Sequence, residues 1–218
     1  MYIQTCTRLD ISFAIGMLSR YQSNPGIDHW RVVEKILRYL QGTKDHMLIY
    51  RRTDDLEVVG YSDSDYARCI DSRKSTFGYI FMLAEGEISW KSAKESIITT
   101  FTMKAEFVAC FEATVHALWL RNFIARFNVV DNIARQLRIC CDNSAAVLFS
   151  KNDKYSKGAK HMDLKYLLVK DKVQKQRVSI EQIGTNQMIA DPLTKGLSPK
   201  IFSGHVRDMG IIDKSLLA

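Results

Sequence analysis

The chain has 218 residues, of which 46% are hydrophobic, and a formal net charge of +7. This length supports one well-buried core, and the three prolines and eleven glycines argue against a fibrous or disordered chain. No apolar run reaches the roughly 18 residues that a membrane-spanning helix needs, and the N-terminus lacks a basic stretch followed by an apolar one. We therefore expect an intracellular protein of the cytoplasm or nucleus, without a signal peptide, a transmembrane segment or a membrane partner.

The first fifty residues are predicted to form two amphipathic helices. The segment TRLDISFAIGMLSRY, residues 7–21, offers Thr7 as an N-cap and apolar spacing behind it. After the breaker NPGID, Asp28 is expected to cap a second helix that ends at Gly42. Two short amphipathic helices bury little by themselves, so this segment must pack against another part of the chain.

After Lys44 the pattern changes to that of β-strands. Four short runs rich in β-branched and aromatic residues predict strands, namely HMLIYRR, LEVVGYSD, FGYIFMLA and EISWKS. The connections between the last three are too short for crossovers, so these strands should form an antiparallel meander.

The second half alternates helices and strands. A long helix is predicted from Met103 to Arg126, followed by the strand QLRICCD and a short helix from Ser144 to Phe149. Next come a basic amphipathic helix, HMDLKYLLVKDKVQKQ, the strand RVSIEQI, and a final helix starting in NQMIADPLTKGL. The inward residues of the basic helix are predicted to be Leu164, Leu167, Leu168 and Val173. This order is typical of an α/β fold with a mixed sheet.

Cysteines and cations are placed informatively. Cys140 and Cys141 are adjacent in an apolar run and are predicted to be buried, reduced thiols, and the five cysteines lack the spacing of a zinc site. Between Lys151 and Val178, nine Lys or Arg residues and three Asp residues leave a balance of +6. Such a run is either a solvated helix face or a patch that attracts a phosphate backbone.

Four carboxylates carry the functional prediction. Asp63 and Asp142 come at the ends of β-prone runs, and Glu106 and Asp191 lie near the starts of helical runs. Strand ends and helix starts meet at the rim of a sheet, where four acids would repel one another unless cations neutralise them. Hard oxygen ligands select Mg²⁺ or Mn²⁺, and the implied chemistry is two-metal hydrolysis of a phosphodiester. Taken singly, each acid also fits an ordinary turn, cap or first-turn helix position.

With this order in place, the chain resembles the ribonuclease H domain of copia-type retrotransposon Pol polyproteins, particularly those of plants. The matching sequence motifs include GYSDSDYA, DSRKSTFGYIF, MKAEFVAC, CDNSAA, KHMDLKY and IADPLTKGL. The resemblance implies a ribonuclease H-like fold, a mixed five-stranded sheet with helices on both faces, preceded by a small helical segment. The implied division is a reverse transcriptase remnant over 1–52, the ribonuclease H-like domain over 55–197, and a C-terminal tail over 198–218.

The resemblance also implies an activity. It is an endonuclease that hydrolyses the RNA strand of RNA–DNA hybrids during reverse transcription, using two Mg²⁺ ions, with Mn²⁺ as a substitute and no organic cofactor. Its catalytic and metal-binding residues would be Asp63, Glu106, Asp142 and Asp191. The implied partners are the hybrid and the reverse transcriptase portion of a Pol polyprotein. The alternative is a truncated, catalytically silent remnant that binds nucleic acid without cutting it.

Further residues are candidate contacts to nucleic acid, and two other residues, Arg68 and Phe101, depart from the family pattern. The candidates are Ser64, Asn143, Lys157, Lys160, His161 and Lys165, with Ser75 and Thr76 as weaker ones. Arg68 stands where the family usually has Gly, and Phe101 where it usually has Ser. A bulky ring ahead of the catalytic helix is expected to be able to displace Glu106. Polymerase activity is not expected, because no Tyr-x-Asp-Asp turn is present.

Overall fold

The computed structural model describes residues 2–53, 56–67, 69, 73–127, 136–151 and 160–217. Its helices are α1 (Tyr2–Cys6), α2 (Ser12–Leu18), α3 (Ile27–Gly42), α4 (Thr102–Ala125), α5 (Ser144–Lys151), α6 (Lys160–Gln174) and α7 (Pro199–Asp208). The strands are β1 (His46–Leu48), β2 (Val59–Asp65), β3 (Thr76–Leu83), β4 (Gly86–Lys94), β5 (Leu137–Cys141), β6 (Val178–Gln182) and β7 (Ile211–Asp213). Among the described residues, no helix combines the length and the apolarity needed to cross a membrane.

Five strands form one mixed sheet in the order β4-β3-β2-β5-β6. Strands β2, β3 and β4 pair antiparallel, as their short connections predict, whereas β5 pairs parallel to β2 and β6 parallel to β5. Helices cover both faces, which is why β3 is buried along almost its whole length. The predicted α/β fold with a mixed five-stranded sheet is therefore confirmed.

The two faces of the sheet carry different layers. Phe77, Tyr79 and Phe81 of β3 pack towards α4 in one cluster, while α5 and α6 complete that layer. The alternate residue Ile80 faces the other side, where it packs with Leu9 and with Met209 beyond α7. The N-terminal segment, the sheet and the C-terminal segment thus share one core cluster. The predicted division at 52 and 198 stays a prediction.

The first predicted strand is not part of the main sheet. Strand β1 pairs antiparallel with β7 in a separate two-stranded sheet, and β7 was not predicted from the sequence. Strand β2 also extends to Asp65, so Asp63 lies two residues before its end rather than at it.

The helix boundaries in the N-terminal segment differ from the prediction. The segment predicted as one helix over residues 7–21 forms a 3₁₀ turn at Leu9–Ile11, helix α2 and a second 3₁₀ turn at Ser19–Tyr21, so Thr7 does not cap a helix, and α1 precedes the predicted start. Helix α3 begins after Gly26 rather than at an Asp28 cap, and the Gly26 N–H donates to His29 Nδ1 at 2.9 Å. Leu9 is fully buried, which confirms that this segment packs against the rest of the chain.

The buried face of α6 was predicted wrongly. Leu164 and Leu167 are 70% and 51% exposed, whereas Tyr166 and Val169 are buried. Val173 packs against the same cluster as predicted. Apolar residues lie around most of this helix, so its contacts with α4, α5 and β6 decide which of them are covered.

The predicted final helix in NQMIADPLTKGL was also wrong. The segment forms two 3₁₀ turns, Thr185–Gln187 and Asp191–Leu193, and the helix follows only at α7. Met188, Ala190 and Leu193 are fully buried in the cluster against β3. The buried side chains of this segment are not spaced as on one face of a helix. The segment instead packs along the surface of the sheet as an irregular chain.

Candidate active site

The structure brings the four predicted acids to one end of the sheet. Asp63 lies near the end of β2, Glu106 one turn into α4, Asp142 directly after β5, and Asp191 at the start of a 3₁₀ turn. Asp63, Glu106 and Asp191 are almost fully buried, at 1%, 4% and 6% exposure. The predicted convergence of carboxylates from four distant parts of the chain is present in the structure.

Contacts within the cluster connect these acids. Oxygen atoms of Glu106 and Asp142 and the Sγ atom of Cys141 all lie within 4.8 Å of one another. The Lys195 Nζ atom lies 2.9 Å from Asp191 Oδ1 and 3.5 Å from Asp63 Oδ1. The cluster therefore has an ammonium-bearing part, at Asp63 and Asp191, and a part at Glu106 and Asp142.

A row of residues across three strands holds the Asp191 segment on the sheet. Asp63 on β2 lies opposite Gly78 on β3, which lies opposite Ser92 on β4. A Cβ atom at Gly78 would come within 2.7 Å of Leu193 Cβ, so this position leaves no room for a side chain. The Ser92 hydroxyl donates to the Leu193 carbonyl at 2.6 Å, and the Thr194 hydroxyl donates to Asp63 Oδ2.

Burial and mutual repulsion raise the pKa values of these acids. Burial, followed by the charges of Asp63, Cys141 and Asp142, raises the pKa of Glu106 to about 10. Burial, followed by the charges of Asp63 and Asp142, raises the pKa of Asp191 to about 6, although Lys195 opposes this. Burial raises the pKa of Asp63 although Lys195 and Thr194 oppose this. Uncompensated negative charge is therefore unfavourable here, and a cation would stabilise the ionised site.

The pKa of Lys195 is raised, which keeps its side chain positively charged beside the acids. Burial acts to lower it, but the nearby carboxylates of Asp63 and Asp191 outweigh burial and hold the pKa above its ordinary value. Lys195 is thus a charged ammonium in contact with two of the four acids.

The donor atoms fit a divalent cation. Carboxylate oxygens are the hard ligands that Mg²⁺ and Mn²⁺ prefer. The Glu106 Oε2 atom is buried and has no hydrogen-bond partner among the described residues. A buried carboxylate oxygen without a partner is costly unless a ligand satisfies it. Glu106 and Asp142 would therefore hold one ion, with Asp63 and Asp191 completing the site.

Three residues of the cluster were not predicted. Thr194 and Lys195 belong to the same sequence motif as Asp191, IADPLTK. Lys195 follows Asp191 by four residues, a spacing that places two side chains close together in a helical turn. Cys141 was predicted as a buried, reduced thiol, which is confirmed, but not as a neighbour of the acids.

Two of the candidate nucleic-acid contacts, Ser64 and Asn143, already have partners within the protein. The Ser64 hydroxyl is buried and donates to Glu95 Oε1 at 3.3 Å. Asn143 Oδ1 accepts the Ala146 N–H at 3.0 Å and so caps α5. Their contact with nucleic acid stays a prediction.

Lys165 and the weaker candidates are engaged in the same way. Lys165 Nζ lies 3.1 Å from Glu112 Oε1 and above the Phe111 ring, 4.4 Å from its centroid. The Ser75 hydroxyl contacts Thr99, and Thr76 accepts a hydrogen bond from Arg20 Nη2 at 2.9 Å. Lys160 and His161 lie in the first turn of α6, while Lys157 and Arg68 lie outside the described residues.

The expected displacement of Glu106 by Phe101 stays a prediction. The Phe101 ring is 64% exposed and lies beneath Lys104 Nζ, which is 5.6 Å from the ring centroid. Phe101 is the extended N-cap residue of α4, and Glu106 is buried in the cluster.

Comparisons with curated proteins find relatives over nearly the whole chain, although no protein-family model matches it. The retrovirus-related Pol polyprotein from transposon TNT 1-94 of Nicotiana tabacum is 37% identical over 195 residues, 89% of this chain and 14% of that protein. The corresponding polyprotein from transposon RE2 of Arabidopsis thaliana is 32% identical over 94% of this chain and 14% of its own length. The chain thus spans about 14% of the length of these relatives.

A shorter relative and two solved structures complete the comparison. The secreted RxLR effector protein 161 of Plasmopara viticola is 41% identical over 120 residues, 55% of this chain and 84% of that protein. The compost-derived LC11-RNase H1 has a TM-score of 0.45 and 15% identity over 63% of this chain and 92% of its own. An N-terminal RNase H domain from Mycobacterium tuberculosis has a TM-score of 0.45 and 10% identity over 70% of this chain and 98% of its own.

Proposed function

This chain is a homologue of the retrovirus-related Pol polyproteins of plant transposons, and we propose that it is a metal-dependent ribonuclease acting on RNA–DNA hybrids. The observation that carries the proposal is the buried cluster of Asp63, Glu106, Asp142 and Asp191 at one end of the sheet. Residues that are far apart in sequence converge there at a cost in repulsion, which a packing role would not require.

The residues have distinct parts in the proposed reaction. Glu106 and Asp142 offer oxygen ligands to a cation, and Glu106 Oε2 is buried without a hydrogen-bond partner among the described residues. Asp63 accepts a hydrogen bond from Thr194 and interacts electrostatically with Lys195 and Asp142. Bound Mg²⁺ ions would supply activation of the attacking water and stabilisation of the leaving 3′ oxygen. The expected product has a 5′ phosphate and a 3′ hydroxyl.

The substrate class is proposed from the homology together with the charge of the chain. The chain's +7 charge favours binding of a phosphate backbone. A hybrid is distinguished from duplex DNA by its 2′-hydroxyl groups, which a protein touches across the wide minor groove. Ser64, Asn143, Lys157, Lys160, His161 and Lys165 are the candidate contacts, and the reverse transcriptase portion of a Pol polyprotein is the candidate protein partner.

A cleavage assay tests the proposal. The protein is incubated with a hybrid labelled on the RNA strand, with Mg²⁺, with Mn²⁺, or with a chelator. We expect metal-dependent cutting of the RNA that Asp142→Asn removes while hybrid binding is retained. Asp208→Asn is the matched control, because Asp208 is an exposed acid at the end of α7, outside the cluster.

The contrary result is equally clear. Hybrid binding without cleavage in either metal would contradict the proposed activity and favour the silent nucleic-acid-binding remnant. Cleavage that Asp142→Asn leaves unchanged would place the chemistry elsewhere.

A further inference from the structure

The acid cluster includes a positively charged side chain, that of Lys195. We propose that Lys195 occupies the Asp63–Asp191 side of the cluster, so that a second divalent ion binds only by displacing this ammonium. The inference rests on the proposed function, since it concerns how the same site takes up its metals. It assigns Lys195 a regulatory role that competes with metal binding.

The contacts on the occupied side are specific. Lys195 Nζ lies 2.9 Å from Asp191 Oδ1 and 3.5 Å from Asp63 Oδ1, and Thr194 donates to the second oxygen of Asp63. The side chains of Asp63 and Asp191 are 2% and 8% exposed, and that of Lys195 is 25% exposed. The ammonium is therefore held in a largely buried site, where charge pairing is stronger than at the surface.

The backbone keeps Lys195 at this position. The Lys195 N–H donates to the Asp191 carbonyl at 3.1 Å, which closes one turn and places the two side chains together. Leu193, inside that turn, is fully buried and its carbonyl is bound by Ser92. The backbone of Lys195 is thus fixed by the same segment that positions Asp191.

On the other side of the cluster, Glu106 and Asp142 lie together with Cys141. Among the described residues neither of these two acids forms an ion pair, whereas Lys195 pairs with Asp63 and Asp191. A first divalent ion at Glu106 and Asp142 therefore has no ammonium of the described residues to displace. A second ion at Asp63 and Asp191 meets a fixed positive charge, which weakens its binding.

Metal binding measured directly tests this inference. Free Mn²⁺ is titrated by electron paramagnetic resonance into the wild-type chain and into Lys195→Met, which keeps the length of the side chain but removes its charge. Lys195→Gln serves as a second neutral variant if the first folds poorly, and Lys195→Arg keeps the charge. Lys200→Met is the matched control, because Lys200 is an exposed lysine in α7.

We expect two Mn²⁺ sites of unequal affinity in the wild type. Removing the charge in Lys195→Met should tighten the weaker site by about tenfold or more, whereas Lys195→Arg and Lys200→Met should leave it weak. A role in packing alone would instead make Lys195→Met and Lys195→Arg change binding alike.

The outcomes separate this inference from the proposed function. If the wild type binds Mn²⁺ and neither neutral variant tightens the weaker site, the role of Lys195 is overturned and the metal site stands. If neither the wild type nor the neutral variants bind Mn²⁺, the proposed metal-dependent function fails, and this inference fails with it.

Thermal unfolding gives an independent readout. Without metal, Lys195→Met removes the ammonium that pairs with Asp63 and Asp191, so its melting temperature should be lower than that of the wild type. Added Mg²⁺ should raise the melting temperature more in Lys195→Met than in the wild type, because no ammonium has to be displaced. An equal rise in both proteins would count against the inference.

Discussion

Gly78 lies directly opposite Asp63 in the β2–β3 ladder, and its missing side chain leaves the space that Leu193 and Thr194 occupy. The glycine is needed because of this close approach and not because of its backbone angles. It connects the sheet to the segment that carries Asp191, so the geometry of the acid cluster depends on a residue with no chemical group of its own.

Gly78→Ala should therefore displace the Asp191 segment. The added Cβ would lie 2.7 Å from Leu193 Cβ and 2.9 Å from Thr194 Cγ2. Both residues are buried, so the segment that carries them would have to shift. We expect a loss of about 1–3 kcal/mol in the free energy of unfolding and weaker Mn²⁺ binding, measured by denaturant titration and by electron paramagnetic resonance. Gly204→Ala is the control, since a Cβ there meets nothing within 4 Å. Unchanged metal binding in Gly78→Ala would show that the contact does not position the site.

Phe101→Ser should give α4 the N-cap that Phe101→Ala lacks. Phe101 is the N-cap residue of α4, with extended backbone and no side-chain cap. A serine hydroxyl there could accept an N–H of the first turn, so Phe101→Ser should exceed Phe101→Ala by about 1 kcal/mol in free energy of unfolding. Chemical denaturation of both variants measures this difference. Equal stability of the two would mean that the hydroxyl does not cap the helix.

Glu87 makes stability depend on pH. Burial raises its pKa from 4.5 to about 8, and its Oε2 atom has no hydrogen-bond partner among the described residues. The folded state therefore holds this proton more tightly than the unfolded state. The resulting stability is complete below about pH 4.5 and is lost as the pH rises to about 8.

Glu87→Gln should remove that dependence. Relative to the wild type, the variant should gain stability with rising pH, by on the order of 2–4 kcal/mol above pH 8. The measurement is the free energy of unfolding at several pH values between 4 and 9. Glu85→Gln is the matched control, because Glu85 is exposed and pairs with Arg51 at the surface. A constant difference between Glu87→Gln and the wild type across this range would contradict the assignment.

Leu9→Ala tests whether the N-terminal segment unfolds with the sheet. Leu9 is fully buried in the cluster that contains Ile80 and Met209, so its truncation should cost about 2–5 kcal/mol and shift one cooperative transition. Ile3→Ala, at a half-exposed position, should have little effect. Two separate transitions, with the larger one unaffected by Leu9→Ala, would support an independent N-terminal unit ending near residue 52.

The amino-acid sequence by itself determined the strand and helix order of the sheet and the identity of the four acids. The elements depend on local patterns: runs rich in β-branched and aromatic residues in β2 to β4, and a long helical run in α4. The four acids were distinguished from ordinary turn and cap residues by the family motifs around them. Strand-forming runs, helical runs and short connections are local features of a sequence, which is why the antiparallel meander and the position of Glu106 were predicted.

Only the tertiary structure decided which residues join those acids and which faces are buried. Thr194 and Lys195 reach Asp63 because the 3₁₀ turn after Ala190 packs directly over Gly78, and the pairing of β1 with β7 brings His46 next to Asp213, far away in the sequence. The buried side of α6 was likewise set by its neighbours and not by its own pattern. Such contacts are non-local: their free energy depends on surfaces that are assembled only when distant segments pack together.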